Sequence, residues 1–155
     1  MKALAASVIL ACLGLVSAEA KRPKCMLRIH AEANARDTST FSSAIRAKLS
    51  GKEVAIEKIP RLSENDVVRF AAYAATDGSY GALFQFDEHG RIALDALSVE
   101  RRGGFLFVFI NGRAITELQI DKRVSDGMIY IPSGLTAEDL KLMKKDWKMI
   151  KPKGR

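Results

Sequence analysis

The chain has 155 residues, of which 48% are hydrophobic and 28% are charged, and its net charge is +7. These are ordinary values for a folded globular domain, and they exclude collagen-like, low-complexity and fully disordered proteins. A chain of this length folds as one domain, because it can bury roughly two-thirds of the surface that its unfolded form exposes without a disulfide or metal scaffold.

Residues 1–20 have the pattern of a removable export signal. Lys2 supplies the positive start, Ala3 to Val16 is an uncharged and mostly apolar stretch, and Ala18-Glu19-Ala20 has the small residues that signal peptidase accepts. We therefore predict cleavage after Ala20 and an exported protein, periplasmic or extracellular. No transmembrane helix is expected, since a spanning helix needs roughly 20 apolar residues. The alternative is a lipoprotein with Cys12 as the lipid-bearing residue.

The predicted mature chain is a single domain over residues 21–150 with a basic tail at 151–155. Its one cysteine, Cys25, cannot form a disulfide within the chain, and we expect a buried thiol rather than a bond between chains. Residues 21–28 carry four basic and no acidic groups, residues 141–155 carry seven basic groups and one acidic group, and the residues between them sum to −3. The basic charge therefore belongs to the two chain ends, and one alternative hypothesis is a module that these basic ends hold at a membrane surface.

The first half of the mature chain predicts three strands. Cys25 to Glu32 alternates between apolar and polar residues, which is the period of a half-buried strand, and Lys52 to Ile59 alternates again. The polar stretch from Asn34 to Ser43 between them predicts a loop. Val67 to Ala74 fits a strand or a helix, and we favour the strand.

A hairpin and a helix follow. The turn residues Thr76 to Ser79 precede a strand from Tyr80 to Phe86, in which every second residue is apolar, so the strands on the two sides of the turn should pair. Arg91 to Arg101 then has an apolar stripe that begins at Ile92 and has helical spacing. Gly103-Gly104 should end this helix.

The next segment predicts a second hairpin. Phe105 to Ile110 is a run of six apolar residues, which is typical of a central strand covered on both faces. Asn111-Gly112 follows at once and predicts a type I′ turn, since both residues of that turn need positive φ. Arg113 to Ile120 is the returning strand. Ser125 to Gly127 turns the chain again into a strand from Met128 to Ile131.

A second helix closes the domain. Thr136 and Asp139 have the spacing of a capping box, and Leu140, Met143 and Trp147 form an apolar stripe beyond it. The succession of strands, helix, strands and helix predicts an α+β fold with a mainly antiparallel sheet and two helices packed on it, because the tight turns leave no room for crossover connections.

Residues 80–147 resemble the head subdomain of the large periplasmic domain of the protein-export component SecD. In that family an apolar strand enters an Asp-Gly or Asn-Gly turn, the return strand ends near a glycine turn, and a Gly-Phe-Thr-x-Glu-Glu-like box opens a helix. This chain has Gly-Leu-Thr-Ala-Glu-Asp at the box. The structural residues that carry the resemblance are Asn111, Gly112, Gly127, Gly134 and Thr136.

The resemblance implies an extracytoplasmic α+β module of a type that contacts unfolded or partner polypeptide. Our leading hypothesis is therefore a non-enzymatic binding module of the envelope or periplasm that contacts protein partners through exposed sheet edges or through its basic C-terminal helix. The resemblance also extends to small exported bacterial proteins that contain such a head-like domain alone. SecD carries this subdomain on a membrane-embedded body that responds to the proton gradient. Since no transmembrane helix is predicted here, proton-driven export work is not implied for this chain.

The C-terminal lysines are the candidate contact residues. Lys144, Lys145, Lys148 and Lys151 suit a protein partner or an anionic membrane surface. Trp147 lies among them, but it falls on the apolar stripe of the helix, so core packing is expected for it. A basic segment with an aromatic residue also occurs in nucleic-acid-binding proteins. An exported protein seldom meets nucleic acid, and we predict none as a partner.

The histidines supply the alternative hypothesis of a small enzyme or metal site. His30 and Glu32 lie on one face of the first predicted strand, and His89 follows two carboxylates. A metal site needs three or four convergent ligands, and the two histidines are 59 positions apart. No nucleophile elbow, Cys-x-x-Cys, phosphate loop or zinc motif is present. We therefore predict no catalytic residue, metal or cofactor, unless the fold brings both histidines together with carboxylates.

Overall fold

The computed structural model describes residues 24–151. The predicted export signal, its cleavage site and the alternative lipid-bearing Cys12 lie outside the described residues. Within the described range, no helix is long and apolar enough to cross a membrane.

The described chain folds into strands and two α-helices. The helices are α1 (Glu88–Glu100) and α2 (Ala137–Asp146), and one 3-10 turn spans Glu64–Asp66. The strands are, in chain order, β1 (Leu27–Ala31), β2 (Ser42–Arg46), β3 (Glu53–Glu57), β4 (Leu62–Ser63), β5 (Val67–Ala74), β6 (Tyr80–Phe86), β7 (Phe105–Ile110), β8 (Arg113–Gln119), β9 (Met128–Leu135) and β10 (Lys148–Met149).

Two four-stranded sheets and one hairpin organise the fold. The first sheet has the order β4-β1-β7-β8 and the second has the order β10-β5-β6-β9, while β2 and β3 form a separate two-stranded hairpin. Every pair is antiparallel except β10 with β5. The predicted α+β class with mainly antiparallel pairing is confirmed.

Both sheets and both helices contribute to one hydrophobic core. Phe70 and Phe84 of the second sheet and Leu27 of the first are fully buried in it, together with Leu94 of α1 and Met143 of α2. A smaller cluster lies on the other face of the first sheet, where Ile56 of the β2–β3 hairpin packs on Phe107. Strand β7 is therefore covered on both faces, as its unbroken apolar run predicts.

The first helix begins earlier than the sequence predicts, at Glu88 rather than Arg91. Asp87 caps it, since its side-chain oxygen accepts a hydrogen bond from the Gly90 N–H at 2.8 Å. Gly90 is buried within the helix, and a Cβ there would lie 2.8 Å from the Cβ of Phe86. Close packing explains this glycine. Ile92 is 55% exposed, so the predicted apolar stripe does not include it.

Two strands differ from the predictions because pairing partners extend them. Strand β2 begins inside the predicted loop of residues 34–43, since it pairs with β3 along its whole length. Strand β9 continues to Leu135 instead of ending at Ile131, because a register shift brings Leu135 opposite Tyr80. Strand β10 was not predicted at all. This strand forms because the chain after α2 pairs with β5, and the local sequence pattern does not reveal such long-range pairing.

The turn and cap predictions are confirmed. Asn111 has φ 49° and Gly112 has φ 79°, so both residues occupy the region that a type I′ turn requires. Thr136 accepts a hydrogen bond from the Asp139 N–H at 3.2 Å, and the Asp139 carboxylate accepts one from the Thr136 N–H at 2.8 Å. Gly134 has φ 99°, and a Cβ there would lie 3.0 Å from Ile115, where the two sheets approach each other.

Candidate functional site

The predicted contact lysines line one open groove of about 730 Å³ at the C-terminal end of α2, which we call the basic groove. Its lining consists of Arg69, Lys144, Lys145, Asp146, Trp147, Lys148, Met149, Ile150 and Lys151. The four lysines that the sequence singled out therefore share one surface. Arg69 was missed, although a single cation within the mostly apolar strand β5 was a signal for it.

Local structure explains how the groove is positioned. Helix α2 ends where the Trp147 N–H donates a hydrogen bond to the Met143 carbonyl at 2.8 Å. The chain then turns back along β5, with Lys148 opposite Arg69. The Ile150 N–H donates to the Phe70 carbonyl at 2.8 Å and extends this contact. Parallel pairing of β10 with β5 thus brings Arg69 beside the lysines.

Trp147 joins the groove to the core. Its indole lies edge-on to Phe70 and Phe84, with ring centroids 6.3 Å and 5.8 Å apart. Edge-to-face pairs of this kind add about 0.5–1.5 kcal/mol beyond area burial. The side chain is half-buried, so one part packs on the core and another part lines the groove. The predicted packing of Trp147 is confirmed, but it is at the margin of the core.

The cations of the groove are exposed and have no partner among the described residues. No ion pair or hydrogen bond joins the side chains of Arg69, Lys144, Lys145, Lys148 or Lys151 to another residue in the range 24–151. The one carboxylate in the lining belongs to Asp146, which accepts a hydrogen bond from the Cys25 N–H at 2.8 Å. The groove is therefore strongly positive.

Cys25 lies at the base of this region and is buried, as expected. Burial raises the pKa of its thiol to about 12, and the nearby carboxylates of Asp139 and Asp146 act in the same direction. The thiol therefore stays protonated at neutral pH, and a protonated thiol is neither a nucleophile nor a metal ligand. Cys25 is a packing residue in this fold.

A second surface, which we call the edge cleft, opens between the outer strands of the two sheets. It has a volume of about 530 Å³. Its lining includes Leu83, Leu94, Leu106, Leu118, residues 119–126, Met128 and Tyr130. Strand β8 is the last strand of the first sheet and β9 is the last strand of the second, so an edge of each sheet borders the cleft. Local sequence pattern does not show which strands become edges, and the cleft was missed for that reason.

The register of β9 shows which of its backbone groups face away from β6. The Phe86 N–H donates to the Gly127 carbonyl at 2.9 Å, which makes these two residues a hydrogen-bonded pair. Since hydrogen-bonded and non-hydrogen-bonded pairs alternate along an antiparallel ladder, Met128 and Tyr130 direct their backbone groups outward. The Met128 N–H is held by the Asp126 carboxylate at 3.0 Å. The outward groups of Tyr130 have no strand partner among residues 24–151.

The structure does not bring His30, Glu32 and His89 into one site. The Nδ1 of His30 lies 2.7 Å from the Glu57 carbonyl, which can only accept, so this nitrogen donates. The ring also lies edge-on to Phe109. His89 is bound elsewhere, against Asp66 at the start of α1. The condition that would have favoured the enzyme hypothesis is thus not met within the described residues.

Asp66, Asp87 and His89 form the one group in the described range whose atoms are close enough to hold a metal ion, within 4.8 Å of one another. Their oxygens already have structural partners. Asp66 accepts from the Ser63 N–H at 2.8 Å, and Asp87 caps α1. The hydrogen bond to Asp66 raises the pKa of His89, and the charges of Asp66 and Asp87 add to this. The arrangement is that of a helix cap.

Comparison with known proteins gives a fold but no sequence family. No family model matches the chain, and no curated protein matches it. A solved structure of SecDF, described as a membrane component that enhances protein export, is similar with a TM-score of 0.56 at 14% identity, covering 81% of this chain and 64% of that one. SecDF in a super-membrane-facing form gives a TM-score of 0.55 at 14% identity, covering 80% of this chain and 19% of that one.

The chain thus spans less than two thirds of the first SecDF chain and about a fifth of the second. The shared part is larger than residues 80–147, on which the sequence resemblance was based, since about four fifths of this chain superimposes. At this low identity the likeness shows the architecture of the chain. The predicted resemblance is confirmed in that sense: the chain has the α+β fold of the SecD periplasmic head-like domain.

Proposed function

We propose that this protein is an exported, non-enzymatic module that binds extended polypeptide in the periplasm or cell envelope. The observation that carries the proposal is the superposition of about four fifths of the chain on SecDF, a component described as enhancing protein export. An export component meets polypeptides before they fold. A module with the same fold suits the same class of ligand.

The edge cleft supports a specific mode of binding. An extended polypeptide can add to the edge of a sheet through main-chain hydrogen bonds, which depend little on side-chain sequence. Strand β9 offers the outward N–H and C=O of Tyr130 at the cleft. Leu118 and Met128 line the same cleft and give apolar contact to side chains of the ligand.

The short length of the open edge indicates transient binding. Pro132 has no N–H to offer and lies on β9 two residues after Tyr130, so the available edge ends there. Native proteins limit exposed edges in this way to avoid aggregation. An edge of a few residues buries far less than the roughly 1,200 Å² of a stable interface, and such contacts exchange rapidly. Rapid exchange suits a protein that contacts extended polypeptides only briefly.

The non-enzymatic part of the proposal is supported by the placement of the titratable groups. His30 bonds a backbone carbonyl, and His89 belongs to a helix cap. Buried Cys25 keeps its proton. None of these three side chains lines the edge cleft or the basic groove.

Binding is tested with a permanently unfolded polypeptide. Fluorescein-labelled α-lactalbumin that has been reduced and carboxymethylated is titrated with the purified protein, and fluorescence anisotropy is recorded. We expect saturable binding to this chain and none to native α-lactalbumin. If the unfolded polypeptide does not bind, the proposed function is wrong.

A variant of strand β9 tests separately whether polypeptide binds at the sheet edge. Tyr130→Pro removes the outward N–H without removing a ladder hydrogen bond to β6, and we expect it to weaken binding at least about fivefold. Tyr130→Phe, which keeps the backbone donor and the ring stacked on Tyr73, is the matched control. Thermal unfolding followed by circular dichroism checks that both variants fold. Equal binding by two folded variants would refute the edge mode and leave polypeptide binding intact.

A further inference from the structure

We propose that the basic groove and the adjacent residues Lys24 to Met26 form one binding surface for an anionic lipid bilayer. This inference is independent of polypeptide binding at the edge cleft, because it uses other residues at another place in the fold.

The first described residues of the chain lie against the end of α2. The Cys25 N–H donates to the Asp146 carboxylate at 2.8 Å across 121 positions of sequence. The next residue, Met26, is held by Asn111 through its N–H at 3.0 Å. The chain therefore enters the fold beside the end of α2. Exposed Lys24 precedes Cys25, and exposed Lys144, Lys145 and Lys148 flank Asp146, while residues 29–140 are net negative.

Several arginines elsewhere in the described chain have a carboxylate partner. Arg61, Arg91, Arg113 and Arg123 each pair with a carboxylate, so their charge is neutralised locally. The exposed cations of the basic groove have no such partner among residues 24–151. Unpaired cations gathered on one face create a field that attracts an extended anionic surface.

The types of residue favour lipid over an acidic polypeptide. Four of the five cations are lysines, which act as flexible point charges and suit a diffuse array of phosphates. Recognition of a defined carboxylate pattern would favour the rigid fork of arginine.

Apolar groups stand among these lysines. Half-buried Trp147 and Met149, which is 50% exposed, line the groove, and Met26, which is 44% exposed, follows Cys25. Tryptophan and apolar side chains next to lysines are typical of surfaces that lie at the level of lipid headgroups. The occupant that matches both features is a bilayer rich in acidic phospholipid.

The experiment uses the complete purified protein and its one tryptophan, which lies in the proposed surface. Vesicles of phosphatidylcholine with phosphatidylglycerol are compared with vesicles of phosphatidylcholine alone. We expect co-sedimentation and a blue shift of Trp147 emission only with the acidic vesicles. Binding should fall steeply when salt rises from about 0.02 M to about 0.5 M, because screening shortens the range of exposed charges to a few ångströms.

Charge reversal locates the surface. Lys144→Glu, Lys145→Glu and Lys148→Glu together should weaken binding at least about 100-fold, since each cation near an acidic membrane strengthens binding about fivefold. The matched control reverses three exposed lysines outside both the groove and the edge cleft, Lys48, Lys52 and Lys58, and has the same net charge. We expect a change of less than about tenfold in this control.

Each outcome decides the proposal. No binding of the wild-type protein to acidic vesicles at low salt overturns it, and so does an equal loss in the groove variant and the matched control. Tighter binding to poly-glutamate than to acidic vesicles would assign the surface to acidic polypeptide instead of lipid.

Thermal unfolding of the variants by circular dichroism separates loss of binding from loss of fold. The salt dependence of the wild-type protein tests the proposal without any variant.

Discussion

The core between the two sheets and the region of the β2–β3 hairpin both contain aromatic and β-branched residues. The side chains in the core are buried, whereas those that flank the hairpin are exposed. Phe84 and Ile131 are fully buried between the sheets, whereas Phe41 and Ile59, which flank the hairpin, are 67% and 78% exposed. Aromatic and β-branched residues stabilise a fold only where a second layer covers them. The hairpin packs on one face of the first sheet through a small cluster, so we expect it to open more easily than the rest.

The largest expected effect is at the centre of the sheet-to-sheet core. Phe84→Ala should lower the free energy of unfolding by roughly 3–5 kcal/mol, because it leaves a cavity among fully buried neighbours. Phe41→Ala is the matched control and should change it by less than about 0.5 kcal/mol. Urea denaturation measures both. Similar losses in the two variants would mean that the hairpin is as well enclosed as the core.

Trp147 should lie between these extremes, because it packs on Phe70 and Phe84 with only part of its surface. We expect Trp147→Ala to cost about 2 kcal/mol, less than a fully buried aromatic residue. Lys144→Ala should leave stability almost unchanged, since that side chain is exposed. The same urea experiment tests both, and a loss as large as that of Phe84→Ala would show that the indole is more deeply enclosed.

Two glycines with positive φ allow the stability of the hairpin to be compared with that of the two sheets. Gly112 joins β7 to β8 with φ 79°, and Gly51 precedes β3 with φ 67°; both have open space at the Cβ position. Valine at either site suffers the same strain, and Gly112→Val should lower the global free energy of unfolding by about 1–3 kcal/mol.

Gly51→Val is expected to act mainly on the hairpin. Amide exchange between β2 and β3 should then accelerate, with a smaller change in the global transition. A global loss equal to that of Gly112→Val would show that the hairpin and the two sheets unfold as one unit.

The smallest effect concerns the contact of His89 with Asp66 at the rim of the core. The pKa of His89 is raised in the fold, first by its hydrogen bond to Asp66, so this contact stabilises the fold fully below the ordinary value of 6.5. That contribution is lost as pH rises through the raised pKa. The melting midpoint should fall slightly as pH rises above the ordinary value of 6.5, and His89→Gln should flatten that change.

The effect should be modest because the His89 side chain is 81% exposed and its charge is screened by solvent. An identical pH profile in the His89→Gln variant would show that the contact does not contribute to stability.

Much of the fold could be predicted because the decisive signals are local. The alternation in β1 and β6, the Asn111-Gly112 turn and the Thr136 capping box each lie within a few residues, and each is found where predicted. Helix α1 was predicted to start late, since Asp87 and Gly90 resemble a strand-ending turn as much as a cap. The two patterns differ only when packing against Phe86 and Asp66 is known.

The candidate surfaces were predictable only in part. Lys144, Lys145, Lys148 and Lys151 stand out as charges in the sequence, and they share one groove in the fold. The edge cleft could not be foreseen, because which strand ends a sheet depends on pairing between distant segments.

By itself the sequence determined the class of fold, the positions of most strands and turns, and the excess of positive charge at both ends of the chain. These depend on side-chain period, on turn residues and on composition, which are properties of short segments. Only the tertiary structure decided that Cys25 lies against Asp146 at the end of α2, that Arg69 joins the lysines and that the histidines stay apart. Those outcomes depend on contacts between residues far apart in the chain, and the physical reason is that burial of one shared core sets where each segment lies.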